Sequence, residues 1–159
     1  MHFSRQVSRL LDQEHRSLLD LLGRIEQAVV RTRRWDPALA GLVGQFGRAL
    51  EHDIERHFCF EEEALFPRMA QFGDGAMAEL LTQEHQAIRA LAAQLLPLAR
   101  AASGGEIDVA GWEAFRRDAL EMVEYQVSHI QKETMALLPL LDDLLDEDLD
   151  RELAFSYAA

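Results

Sequence analysis

Two stretches of this chain repeat each other in register. Gln13-Glu14-His15 returns as Gln83-Glu84-His85, an offset of 70, and Leu18, Leu22 and Ile25 return as Ile88, Ala92 and Leu95 at the same offset. His57 and Glu61 return as His129 and Glu133, an offset of 72, and Ala64-Leu65-Phe66-Pro67 returns as Ala136-Leu137-Leu138-Pro139. An internal repeat is the sequence mark of one structural unit used twice. Within the unit, apolar residues recur in steps of three and four, as in Val7, Leu11, Leu18, Leu22, Ile25 and Val29, which is the buried stripe of a helix. The repeat therefore predicts two helical hairpins related by a pseudo-twofold axis. Short connections make neighbouring helices antiparallel, so the expected fold is all-α, an up-down-up-down four-helix bundle.

The helices are expected at about 4–33, 38–66, 76–101 and 109–138. Pro37 ends the first, because it lacks an N–H and restricts Asp36 before it. Pro67 and Pro139 break or kink the second and fourth at equivalent places. Gly73-Asp74-Gly75 is a turn, and Ser103-Gly104-Gly105 is a helix stop. The repeat halves run over about 4–67 and 76–139, and the tail over 140–159. That tail is acidic and rich in leucine, and a short fifth helix is expected over about 140–153, packed on the bundle end.

At 159 residues the chain is sized for a single domain over 1–159. Its net charge of -12 disfavours nucleic acid and anionic membrane surfaces, both of which need clustered Lys and Arg. No apolar run is long enough to span a membrane. The first residues, Met1 to Leu11, carry charges and do not read as a signal peptide. Cys59 is the one cysteine, which leaves no intrachain disulfide framework and points to a reducing, cytoplasmic setting.

Six residues at equivalent places in the two halves carry the chemistry: His15, His57, Glu61, His85, His129 and Glu133. His57 and Glu61 are four apart, as are His129 and Glu133, so each pair shares one helix face a turn apart. His15 lies four after Leu11 and three before Leu18, and His85 lies four after Leu81 and three before Ile88, both inside the apolar stripe. A histidine in an apolar core needs a partner. Four of them, one per helix, with two core glutamates, are satisfied together by a metal cluster. Imidazole and carboxylate suit iron, manganese or zinc. A carboxylate can bridge two metals roughly 3.5–4 Å apart. The ferritin-like alternative requires Glu-x-x-His, and Ile54 and Gln126 stand where its glutamates would be. No nucleophile elbow and no phosphate-binding glycine loop is present.

The pattern His…His-x-x-x-Glu…His…His-x-x-x-Glu, with His57-Phe58-Cys59-Phe60-Glu61-Glu62 followed by Leu65-Phe66-Pro67, resembles the hemerythrin-like cation-binding domains from about Val7 to Pro139. The resemblance implies a four-helix bundle around two iron ions bridged by oxo or hydroxo, with zinc or manganese as other occupants. It implies His15, His57, His85 and His129 as terminal ligands and Glu61 and Glu133 as bridging carboxylates. Oxygen-carrying hemerythrins have a second histidine where Arg89 stands here, and an aspartate five after the last histidine in place of Glu133 at four. The chain is in this respect more similar to bacterial di-iron proteins linked to nitric oxide and to repair of iron–sulfur centres, although the N-terminal cysteine-bearing domain those proteins carry is not expected within these residues. The implied function is binding or sensing a small diatomic, O2 or NO, or buffering iron. The alternatives are a di-iron enzyme that reduces NO or peroxide or repairs iron centres, and a structural metal-binding bundle. The sequence is compatible with a homodimer.

Around these six, Glu14 and Glu84 read either as acceptors for a neighbouring histidine N–H or as surface ion pairs. Glu62 and Glu63 read as a solvated run. Tyr125 and Asp53 lie one turn before His129 and His57 and read as a packed tyrosine and a surface acid. Cys59 reads as an inert thiol, His52 and His2 as exposed, and Trp35 and Trp112 as caps of the bundle end.

Overall fold

The computed structural model describes residues 2–159, and among them every regular element is helical. Helix α1 spans Gln6–Arg31. The second rod is built from α2 (Ala40–Arg48), α3 (Ile54–Phe60) and α4 (Phe66–Gln71). Helix α5 spans Gly75–Ser103 and runs through Pro97, and α6 spans Val109–Lys132. The tail folds as α7 (Leu141–Leu144) and α8 (Glu147–Ala158). The single fifth helix expected over 140–153 is thus two pieces, because Asp146 caps a new start by accepting from the Leu149 N–H at 2.8 Å.

Hydrogen bonds fix the directions. Ser8 near the start of α1 donates to the Leu138 carbonyl beyond α6, and Trp112 at the start of α6 donates to the Thr32 carbonyl beyond α1. Arg24 reaches Gln45 while Glu14 meets His57, so α1 is antiparallel to the second rod as well. The result is an all-α bundle. The turn from α5 to α6 uses Gly105 at φ +75°, a conformation that a side chain disfavours.

Three wide π turns interrupt the rods. Each is marked by a five-residue backbone bond: Ile54 N–H to Ala49 carbonyl, Phe66 N–H to Glu61 carbonyl, and Leu138 N–H to Glu133 carbonyl. Their cause is legible in the spacing. Core positions 57, 61, 65 and 69 advance by fours, and at 3.6 residues per turn each such step overshoots by about 40°. A wide turn cancels the drift and keeps the row facing inward.

The core is divided in two by a polar layer. One part holds Leu22, Ile25, Phe46, Leu95, Trp112 and Phe115, and the other holds Leu11, Leu65, Met69, Leu81, Leu137 and Leu141. Trp35 and Trp112 meet edge to face at 5.1 Å and close the first part, as the sequence suggests. Phe115 is fully buried, stacked on Trp112 at 5.1 Å and edge-on to Phe46 at 6.0 Å. Phe115→Ala is expected to cost about 3–5 kcal/mol in chemical denaturation, while leaving metal binding in place because the polar layer lies elsewhere.

Candidate metal centre

The polar layer is made by the six residues singled out above. His15, His57, His85, His129, Glu61 and Glu133 are all buried, and both glutamates are at 0% exposure. Each glutamate opens one of the wide turns, Glu61–Leu65 and Glu133–Leu137. Glu61 is held there by its N–H, which donates to the carbonyls of His57 and Phe58, and Glu133 makes the matching bonds to His129 and Ile130.

The carboxylates face both halves at once. Glu61 Oε2 lies 3.2 Å from His57 Nε2, and its Oε1 lies 3.3 Å from His85 Nε2. Glu133 Oε1 lies 2.9 Å from His15 Nε2 and 3.6 Å from His57 Nε2. Its Oε2 lies 3.4 Å from His85 Nε2 and 3.0 Å from His129 Nε2. Two sets result, His15-His57-Glu61-Glu133 and Glu61-His85-His129-Glu133, each with ligand atoms within 4.8 Å of one another. Each set can hold a metal ion.

The outward ring nitrogens decide what the inward ones offer. His57 Nδ1 donates to Glu14 at 2.9 Å, His85 Nδ1 to Glu62 at 2.6 Å, and His129 Nδ1 to Glu84 at 2.8 Å. A carboxylate only accepts, so in the neutral imidazole the hydrogen sits on Nδ1 and Nε2 presents a lone pair. His85 Nε2 and His129 Nε2 then face each other at 3.0 Å, lone pair to lone pair. A cation or a proton between them is required. The His57 Nε2 and both Glu61 oxygens are buried without a well-formed hydrogen bond, which fits a metal-ligand set.

Without metal, protons fill this role. Burial opposes charge on His57, but Glu61, Glu133 and Glu14 outweigh it and hold the imidazole well above its ordinary range. Burial also opposes charge on His85, yet Glu133 and Glu61 push it up to about 9. His129 is raised by Glu133 and Glu84 against its own burial. Burial acts to raise Glu133, but the four histidines pull it well below the usual carboxylate range.

A second ring of residues supports the first. Glu14 is braced by Arg56 and by the Tyr157 hydroxyl, Glu62 by Arg89 at 2.8 Å, and Glu84 by Lys132 at 2.6 Å. Phe58 stacks flat on the His85 ring at 3.6 Å. The pairing follows the repeat: Glu14 orients His57 as Glu84 orients His129, both being helix-to-helix contacts. The expectation for Glu62 is corrected, since it is a partner of His85 and not a solvated acid. Its counterpart at an offset of 72 is Thr134, whose hydroxyl lies 3.4 Å from His15 Nδ1. Glu63 and His52 are exposed, as is Asp53. Tyr125 is 42% exposed and not packed inside. Cys59 sits at the surface beside Glu55, which raises its thiol, and it does not approach the centre.

Tyr157 is the residue that periodicity did not find. It belongs to α8, past the expected end of the tail helix, and has no repeat counterpart. Its hydroxyl donates to Glu14, its ring lies under the Arg56 guanidinium at 4.1 Å, and its carbonyl accepts from Arg56. Asp150 of the same helix accepts from the N–H groups of Gln6 and Val7 and so caps α1. The tail is therefore tied both to the start of α1 and to a partner of His57.

Among the described residues no helix is long and apolar enough to cross a membrane. No curated protein matches the chain. The hemerythrin HHE cation binding domain matches residues 6–141, from the first turn of α1 to the first residue of α7, and takes in all six buried His and Glu residues. With that match covering most of its length, the chain belongs to the family of the hemerythrin HHE cation-binding domain.

Proposed function

We propose that this protein holds two iron ions, one with His15 and His57 and the other with His85 and His129, bridged by Glu61 and Glu133, and that it binds or senses O2 or NO there. The observation that carries the reading is the pair of carboxylates, each sending one oxygen to each histidine pair. Four protein donors per metal leave room on a six-coordinate ion, so the bound pair would supply redox-active metals with positions for a small exogenous ligand. The protein contributes orientation through Glu14, Glu62 and Glu84, and an apolar shelter through Phe58. A reducing cytoplasm suits such a centre, and a homodimer is compatible with it.

A zinc reading follows from the same four-donor sets, since zinc favours four ligands. One measurement separates the two. Protein purified without air is assayed for metals and its visible spectrum recorded before and after O2, and separately after NO. About two irons per chain with new absorption on exposure supports the proposal, and the gas that produces it names the ligand. Zinc alone, with no visible absorption, would overturn it in favour of a structural or storage site.

A further inference from the structure

The two halves are far from identical, and two of their differences meet in one place. Ile54 and Gln126 are counterparts at an offset of 72. Ile54 is a buried apolar residue, whereas Gln126 is 1% exposed and neither its amide nitrogen nor its amide oxygen finds a partner in the protein. The wide turn Ala49–Asp53 also has no counterpart, because α6 passes through the equivalent stretch as regular helix. Both features line a single cavity of about 370 Å³ between α1, the second rod and α6.

This cavity runs down to His15, His57 and Glu133. Its lining combines apolar side chains, Leu18, Leu21, Ile54, Phe58 and Ile130, with polar ones that include Gln13, Ser17 and Gln45. A diatomic takes about the room of a water molecule, roughly 30 Å³. The cavity is about ten times that and falls within the range of small-molecule pockets. A buried, unpaired amide is costly to a fold, and it supplies what such pockets use for orientation, one polar group that both donates and accepts. The rim carries Glu14 and Asp53 with Arg56 in a chain of net charge -12, which disfavours an anion, and burying any unpaired charge beside Leu18, Ile54 and Phe58 is costly.

We propose that the cavity binds a neutral, ring-sized organic molecule bearing one hydroxyl or amide, anchored by the Gln126 amide beside the position of His15 and His57. The inference rests on the dimetal reading for the metal next to that ligand, but not for the cavity itself. The test uses phenol as probe and the zinc-loaded, diamagnetic protein, with the nitrogen-15 signal of the Gln126 side chain as readout. Zinc content is measured first, and the metal-free protein is titrated in parallel. A saturable shift of the Gln126 signal is expected. Gln126→Leu should fold, since its counterpart is Ile54, and should weaken phenol binding, followed through other cavity signals, at least tenfold. Ala49→Leu, which adds bulk to the lining from the second rod and leaves the amide intact, should weaken it as well. No saturable shift in either form of the protein, or equal affinity in Gln126→Leu, would overturn the proposal. A chain that takes up no metal but still binds phenol through Gln126 would overturn the dimetal reading alone.

Discussion

Glu61→Ala is expected to empty both metal positions together. The side chain is at 0% exposure and sends one oxygen toward His57 and the other toward His85, so it belongs to both candidate ligand sets. Changes to residues that merely orient a ligand lower metal affinity by about 10–100-fold. Loss of a shared ligand should exceed that at both positions, bringing the stoichiometry from two toward none at micromolar metal. His15→Ala is the contrast. His15 belongs to one of the two sets only, so its loss should weaken one position and spare the other. Elemental analysis and calorimetric titration of the two variants read the difference directly. If Glu61→Ala kept two tight metals, or lost one only, the bridging role would be wrong.

The second large effect is a reversal of pH dependence on loading. In the metal-free fold, burial works against a charged His85, but Glu133 and Glu61 hold it at about 9. An unfolded histidine titrates near 6.5. The metal-free fold therefore keeps a proton that the unfolded chain gives up between these values. The stability tied to that proton is fully present below about 6.5 and is gone once the pH passes about 9. Over that window the loss is on the order of 3 kcal/mol, or roughly 6–12 °C in Tm for a chain of this size. His57 and His129 are raised too and act in the same direction. Metal must displace these protons, so its affinity climbs over the same interval. Thermal melts from pH 6 to 9 should fall for the metal-free protein, and the gap to the loaded protein should widen. A flat metal-free profile would mean that the histidines are not held charged by Glu61 and Glu133. The buried carboxylates therefore move the onset of acid loss of metal above the ordinary imidazole range.

The bundle and the six inward residues were legible because they obey periodicity twice. Val7, Leu11 and Leu18 define a stripe, His15 sits in it, and His85 repeats the arrangement. Glu62 was misread because a regular helix turns it away from the Glu61 face. It reaches His85 instead across the gap to α5, an interhelical contact that intrahelical spacing does not encode. Glu14 and Glu84 were ambiguous for the same reason, and each turns out to be both an ion-pair partner and a histidine partner. Tyr157 lay beyond reach, since it depends on how α8 docks after the chain breaks at Leu145–Asp146. The wide turns left a trace in the runs of four that place 57, 61, 65 and 69 in one row.

Those wide turns make residue count, and not only residue identity, part of the centre. Each holds more backbone than a regular turn, and two of them begin at the buried glutamates, Glu61 and Glu133. A related chain could keep all four histidines and both glutamates yet lack one residue between the glutamate and the leucine four places on. Its helix would close up as regular α and leave everything downstream, Phe66 and Met69 here, still facing the core, because the eleven steps of about 100° then left between His57 and Met69 end only about 20° past three full turns. In an alignment, a one-residue gap inside Glu61–Leu65 or Glu133–Leu137 would mark a chain that keeps the motif and the core but opens a regular turn at that glutamate.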